Sequence, residues 1–121
     1  MPKNPSTTGK RNITVGSLEA ARRFLGACSG TWVFLVYADW CPHCKVFLPE
    51  WRRFSEATRH RAAAIDSDIV RHVPDLAALL PAYRTVPFIV KCTYRKGRLY
   101  GAPQIADPGA RTAEALARLY P

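Results

Sequence analysis

Two cysteines three positions apart, Cys41 and Cys44 in the run Trp40-Cys41-Pro42-His43-Cys44-Lys45, are the residues best suited to chemistry. They stand where an apolar strand gives way to a helix. Positions i and i+3 of a helix share one face, so the two sulfurs come within bonding reach inside a single turn. Cys41 takes the open N-terminal end, where unpaired backbone N–H groups and the positive end of the helix dipole favour a thiolate. The thiolate is the form that attacks disulfides. Pro42 and His43, between the cysteines, are expected to tune the reduction potential. A positive His43 donating to the Cys41 sulfur lowers the thiol pKa, stabilises the reduced form and makes the disulfide more oxidising.

Positioning such a pair requires a rigid strand and a rigid helix. Trp32 to Tyr37 is continuously apolar and rich in aromatic and β-branched residues, as a strand covered on both faces should be. A helix is predicted from about Pro42 to Arg61, with Phe47, Trp51, Phe54 and Thr58 at helical spacing and Pro49 inside, where its ring removes the bond to the Lys45 carbonyl. Upstream, Ile13 to Val15 reads as a short strand, and Ser17 caps a helix whose apolar face is Leu18, Ala21, Phe24 and Leu25, ending between Gly26 and Gly30. Downstream come a buried strand from Ala63 to Asp66, caps at Asp66 to Asp68, and a helix from about Pro74 to Ala82 carrying Leu76, Leu79 and Leu80. Phe88 to Tyr94 and Arg98 to Ala102 read as strands joined at Lys96-Gly97, and Asp107-Pro108 as the start of a last helix running to about Tyr120. The order β-α-β-α-β-α-β-β-α implies an α/β fold with a mixed sheet flanked by helices on both faces.

The chain of 121 residues is of single-domain size, read as a flexible basic tail over residues 1–12 and a domain over 13–121. Eighteen Lys and Arg against nine Asp and Glu give a net charge of +9, and the segments Met1 to Asn12 and Arg84 to Arg98 contain bases and no acid. Such a surface attracts acidic proteins, or nucleic acid without sequence preference, in a salt-dependent way. The N-terminus lacks the apolar core of a secretory signal, and no apolar run is long enough for a membrane span. The expectation is a cytoplasmic protein with no membrane contact. In a reducing compartment a C-x-x-C is catalytic or metal-binding rather than a permanent staple. With no second close-spaced pair, zinc is disfavoured and no metal is expected.

On four features the chain resembles the thioredoxin superfamily, close to thioredoxin and to single domains of protein disulfide isomerase. They are the block from Trp40 to Lys45, Pro49 five residues after the second cysteine, the strand end Ile65-Asp66, and Thr85-Val86-Pro87 before the closing hairpin. The resemblance covers about Asn12 to Pro121 and implies the thioredoxin fold and a thiol–disulfide oxidoreductase that reduces, forms or isomerises protein disulfides, with Cys41 attacking and Cys44 resolving. It implies further that Pro87 is a cis-proline facing the cysteines, that the Val86 backbone pairs with an extended substrate, and that Trp40 and Gly101 line the same groove. Pro-His between the cysteines is similar to the strongly oxidising bacterial periplasmic enzymes. No organic cofactor is implied; electrons come from a reductase, glutathione or another dithiol.

Two departures stand out. Family members usually bury an acid in the central strand with a lysine across from it, and here those positions hold Leu35 and Ala62. Slower resolution by Cys44 is the expected consequence. Elsewhere the plainer assignments prevail: Cys28 and Cys92 as buried small apolar residues, His60 and His72 as solvated helix residues, Trp32 and Trp51 as core. Two alternative functions remain in view, a basic binding or assembly module with little turnover, and a glutaredoxin-like, glutathione-dependent reductase.

Overall fold

Five strands form one sheet in the order β1-β3-β2-β4-β5 in a computed structural model of the chain, which describes residues 12–27, 29–80, 83–96, 98–107 and 109–121. The strands are β1 (Asn12–Val15), β2 (Gly30–Tyr37), β3 (Arg61–Asp66), β4 (Phe88–Arg95) and β5 (Arg98–Ile105). The helices are α1 (Leu18–Ala27), α2 (Pro42–Ala57), α3 (Ser67–His72), α4 (Pro74–Ala78) and α5 (Ala113–Leu119). β1, β3 and β2 run parallel, β4 pairs antiparallel with β2, and β5 antiparallel with β4. This is the mixed sheet expected from the sequence.

The unbroken apolar run of β2 follows from its central place. Trp32, Phe34 and Val36 enter one core with Ala21 and Phe24 of α1, Val70 of α3 and Leu76 of α4. Val33 and Leu35 enter the other, with Phe47, Trp51 and Phe54 of α2 and Leu116 of α5. Because successive side chains of a strand point to opposite faces, a strand covered on both faces can spare no polar position. β3 repeats the pattern, with Ala63 and Ile65 on the first face and Ala62 and Ala64 on the second.

Several boundaries differ from the sequence expectation. α2 stops at Ala57, four residues before the expected end, because Thr58 turns extended and its hydroxyl accepts from His60 N–H at 3.2 Å, a local bond that competes with helix continuation. His60 consequently leaves the helix. Instead of being solvated it is buried, with its Nε2 3.1 Å from the Pro121 carbonyl. His72, by contrast, is exposed on α3. Leu18 is 48% exposed and so does not join the apolar face of α1. The single helix expected from Pro74 is preceded by a second short one, α3, whose N-cap Asp66 accepts from Asp68 N–H at 2.8 Å. The last helix begins at Ala113 instead of Asp107-Pro108. Around Gly109 the chain makes a turn, with Ala110 N–H bonded to the Asp107 carbonyl at 2.9 Å, and Thr112 then supplies the N-cap by accepting from Ala115 N–H at 3.1 Å. Of the tail expected over residues 1–12, Asn12 instead opens β1, and residues 1–11 lie outside the described residues, as do Cys28, Pro81, Ala82, Gly97 and Pro108.

Candidate functional site

Sheet register alone brings the chemically interesting segments together. β2 and β4 pair with Val36 opposite Phe88, so the residues just before Phe88 lie beside the residues just after Tyr37. The Val86–Pro87 peptide bond, which is cis, therefore sits beside the loop leading to Cys41. On the other side of β2, Tyr37 pairs with Asp66, which places the start of α3 next to the same loop. Ala38, Cys41 and Cys44 form a small buried cluster with Tyr37 and Val86 packed against it. The crevice thus opens beyond the carboxyl end of a central strand, the usual location for sites in open α/β sheets.

Within this crevice Cys41 is the N-cap of α2, with Pro42 at the first helical position, and Lys45 N–H bonds to its carbonyl at 3.2 Å. Both cysteines are buried free thiols. The Cys41 thiol faces the Val86 carbonyl at 3.9 Å. Burial is the largest single influence on the Cys41 thiol and pulls its pKa upward. It is outweighed by hydrogen bonds from the Cys44 side chain and from the backbones of Cys44 and His43, with the Arg111 charge in support, so the net displacement is downward. Cys44 goes the opposite way. Burial, followed by the contact with Cys41 and its negative charge, pushes it up to about 11, against the lowering effect of a backbone hydrogen bond with Ala38 and of Arg111. The first thiol is prepared to be a thiolate while the second keeps its proton.

Of the sequence-predicted residues, Trp40, Cys41, Cys44, Val86 and Pro87 converge here. Trp40 is 65% exposed at the mouth of the crevice, whereas Trp32 and Trp51 are buried in the two cores. His43 is exposed, and its contact with the Cys41 sulfur is through the main chain, so the side-chain donation expected from the sequence is replaced by a backbone N–H of the helix start. Gly101 lies apart from the cavity beside the dithiol. It is exposed on the edge strand β5 with φ of 79°, a conformation that glycine adopts without strain. Leu35 and Ala62 are fully buried in the α2–α5 core, so neither position offers a charge. Cys92 is buried as expected, and burial raises its pKa. Among the described residues no His, Cys, Asp and Glu side chains gather in a group able to hold a metal.

Arg111 is a site residue that nothing in the sequence singles out. Its position in the chain suggests the solvated face of the last helix; the turn at Gly109 leaves it in the loop before α5, half-buried and close enough to act on both thiols. Glu50 of α2 accepts from Ala113 N–H at 2.9 Å and fixes that loop against the helix that carries the cysteines. Arg111→Met is expected to raise both thiol pKa values. A partly solvated charge interaction worth about 0.5–1 kcal/mol corresponds to alkylation of Cys41 about two- to fivefold slower at pH 6.5, measured by thiol labelling followed by mass spectrometry.

Comparison with known proteins agrees with this architecture. The family model described as Thioredoxin matches residues 19–91, more than half of the chain. A thioredoxin domain-containing protein of Theileria parva is 29% identical over 91 residues, which cover 75% of this chain and 38% of that protein. Thioredoxin-related transmembrane protein 1 of Homo sapiens is 32% identical over 101 residues, 83% of this chain and 35% of the relative. The chain therefore spans little more than a third of the length of these curated relatives. Its own described residues contain no helix long and apolar enough to cross a membrane. Among solved structures, the Trx4 domain of ERdj5 superposes with a TM-score of 0.62 at 19% identity, covering 90% of this chain and 91% of that one. A mutant thioredoxin from Halobacterium salinarum gives 0.58 at 23% identity, covering 90% and 87%. At such identities the likeness is one of fold. With the sheet order, the dithiol at the head of α2 and the family match in agreement, the chain belongs to the thioredoxin family.

Proposed function

We propose that the chain is a thiol–disulfide oxidoreductase acting on protein disulfides through Cys41 and Cys44. The observation that carries this reading is the placement of two buried free thiols at the head of α2, with Cys41 as the N-cap and its sulfur facing the Val86 carbonyl beside the cis Val86–Pro87 bond. The Cys41 thiolate attacks one sulfur of a substrate disulfide, a mixed disulfide forms, and the other substrate sulfur leaves as a thiolate. Cys44 then loses its proton and attacks the Cys41 sulfur. This releases the second substrate thiolate and leaves a Cys41–Cys44 disulfide, two electrons having passed to the substrate. A reductase, glutathione or another dithiol returns the pair to its reduced form; run backwards, the same steps form a substrate disulfide. Val86, through its backbone, and Trp40 and Pro87, at the mouth of the crevice, are the proposed substrate-facing residues, in a β-augmentation mode.

Reduction of insulin by dithiothreitol, followed as turbidity, is expected to run at least about tenfold faster with the protein than without it. The Cys41→Ser variant should return the rate to the uncatalysed value. A serine variant as active as the parent would remove the proposal. A second reading, a basic binding module with little turnover, draws on the β4–β5 hairpin. There Arg95, Lys96 and Arg98 follow one another along the hairpin, Arg95 lies 4.5 Å from the ring of the exposed Tyr100, and β5 is a sheet edge. Salt-sensitive binding of an acidic partner without insulin reduction would favour it.

A further inference from the structure

A cavity of about 770 Å³ adjoins the dithiol, lined among others by Trp40, Ser67, Arg71, Tyr83, Arg84 and Val86. Its wall reaches the reacting sulfur, since the Val86 carbonyl faces the Cys41 thiol. Ser67 comes to it because the Tyr37–Asp66 pairing sets the first residue of α3 beside the active loop. That serine is only 4% exposed, and its Oγ has no hydrogen-bond partner. The Tyr83 phenol lies close enough to be influenced by Ser67, yet the contact does not reach hydrogen-bond geometry. Burial, first among its influences, raises the Tyr83 pKa and keeps the phenol protonated. Two hydroxyl donors thus face one space, and a buried hydroxyl left without an acceptor is costly.

The charges at the rim are unequal. Arg71 is held by Asp68 at 3.2 Å, whereas none of the ion pairs found among the described residues engages the exposed Arg84. One uncompensated cation with two neutral donors matches a ligand of single negative charge. We propose that the cavity is a subsite for the carboxylate of an aspartate or glutamate neighbouring the cysteine on the substrate strand, with Ser67 and Tyr83 donating to it and Arg84 neutralising it. A strand laid along Val86 advances about 3.3 Å per residue, so a residue one or two positions from the reacting cysteine falls over the cavity. The subsite deepens the proposed function and rests on disulfide exchange at Cys41.

Two disulfide-linked peptides that differ only by Glu or Gln two positions from the cysteine test the idea at low ionic strength. The Glu peptide is expected to be reduced with kcat/KM at least about fivefold higher. Ser67→Ala and Arg84→Met should each bring the Glu-to-Gln ratio toward one. The affinity of the same peptides with serine in place of cysteine, read from tryptophan fluorescence, should show the same preference without any redox step. A ratio near one in both measurements overturns the subsite while leaving disulfide reduction intact. A preserved binding preference with neither peptide reduced supports the subsite and removes the oxidoreductase reading. Glutathione disulfide turned over faster than the Glu peptide, with equal sensitivity to Arg84→Met, would overturn it in favour of a glutathione pocket.

Discussion

At pH 7, iodoacetamide is expected to label Cys41 at least about a hundred times faster than Cys44 in the reduced protein. A thiol with a pKa of about 11 holds roughly one thiolate in ten thousand at that pH, and Cys44 is such a thiol. An ordinary thiol near 8.5 holds roughly one in thirty, and Cys41 lies on the favourable side of ordinary. The same split governs stability. Cys41 binds its proton less tightly folded than unfolded, so its contribution grows as pH rises toward the unfolded value and is lost as pH falls through the folded one. Cys44 binds its proton more tightly when folded, so the reduced protein loses stability between about pH 8.5 and 11. For this side chain, 1% exposed, the loss amounts to roughly 3 kcal/mol. The oxidised protein, whose sulfurs do not titrate, should lack that component. Urea unfolding of both forms at about pH 8 and about pH 10.5 measures it; parallel losses in the two forms would show that the thiols are not split.

The sheet and the dithiol were legible in the sequence because their signals are local. The apolar run from Trp32 to Tyr37, the Cys41–Cys44 spacing and the pairing of Asp66 with its own helix start all depend on neighbours a few positions away. What the sequence hid depends on contacts between distant segments. His60 reads as a helix-surface residue until Thr58 ends the helix and the Pro121 carbonyl arrives from 61 residues away. Arg111 reads as one more base on a solvated helix, because Asp107-Pro108 is a good helix start by itself; the turn at Gly109 and the Glu50–Ala113 bond decide otherwise. His43 shows the converse error. A titratable side chain between two cysteines invites an electrostatic role, yet the group that reaches the sulfur is the backbone N–H that any residue there except proline would supply. The cavity beside Trp40 is assembled from the loop before α2, from α3 and α4, and from the segment before β4, and no one stretch of sequence announces it.

Leu35→Asp is expected to push stability and turnover in opposite directions. Leu35 is fully buried among Phe47, Trp51, Ala62 and Ala64, and the buried polar side chains among the described residues are Ser55, His60 and Ser67, none of them an acid. Among the described residues, deprotonation of Cys44 therefore has no buried carboxylate to receive the proton, although its high pKa makes this the demanding step of the proposed cycle. An aspartate at position 35 loses the leucine packing and places an unpaired carboxyl in an apolar core, at a cost of about 3–5 kcal/mol at pH 7. Burial raises the folded pKa of that carboxyl. The penalty should accordingly be smaller at pH 4 and grow as pH rises through the unfolded value, about 3.9, toward the folded one. A carboxyl with a raised pKa is also suited to general-base work near neutrality, and decay of the mixed disulfide, trapped by acid quench, should accelerate by about tenfold. Adding Ala62→Lys on the same face should recover part of the lost stability by pairing the charge. An acceleration without destabilisation would show that position 35 is wetter than its packing indicates. Destabilisation with unchanged decay would mean that water or another group already takes the Cys44 proton, and that the apolar strand costs the protein nothing in resolution.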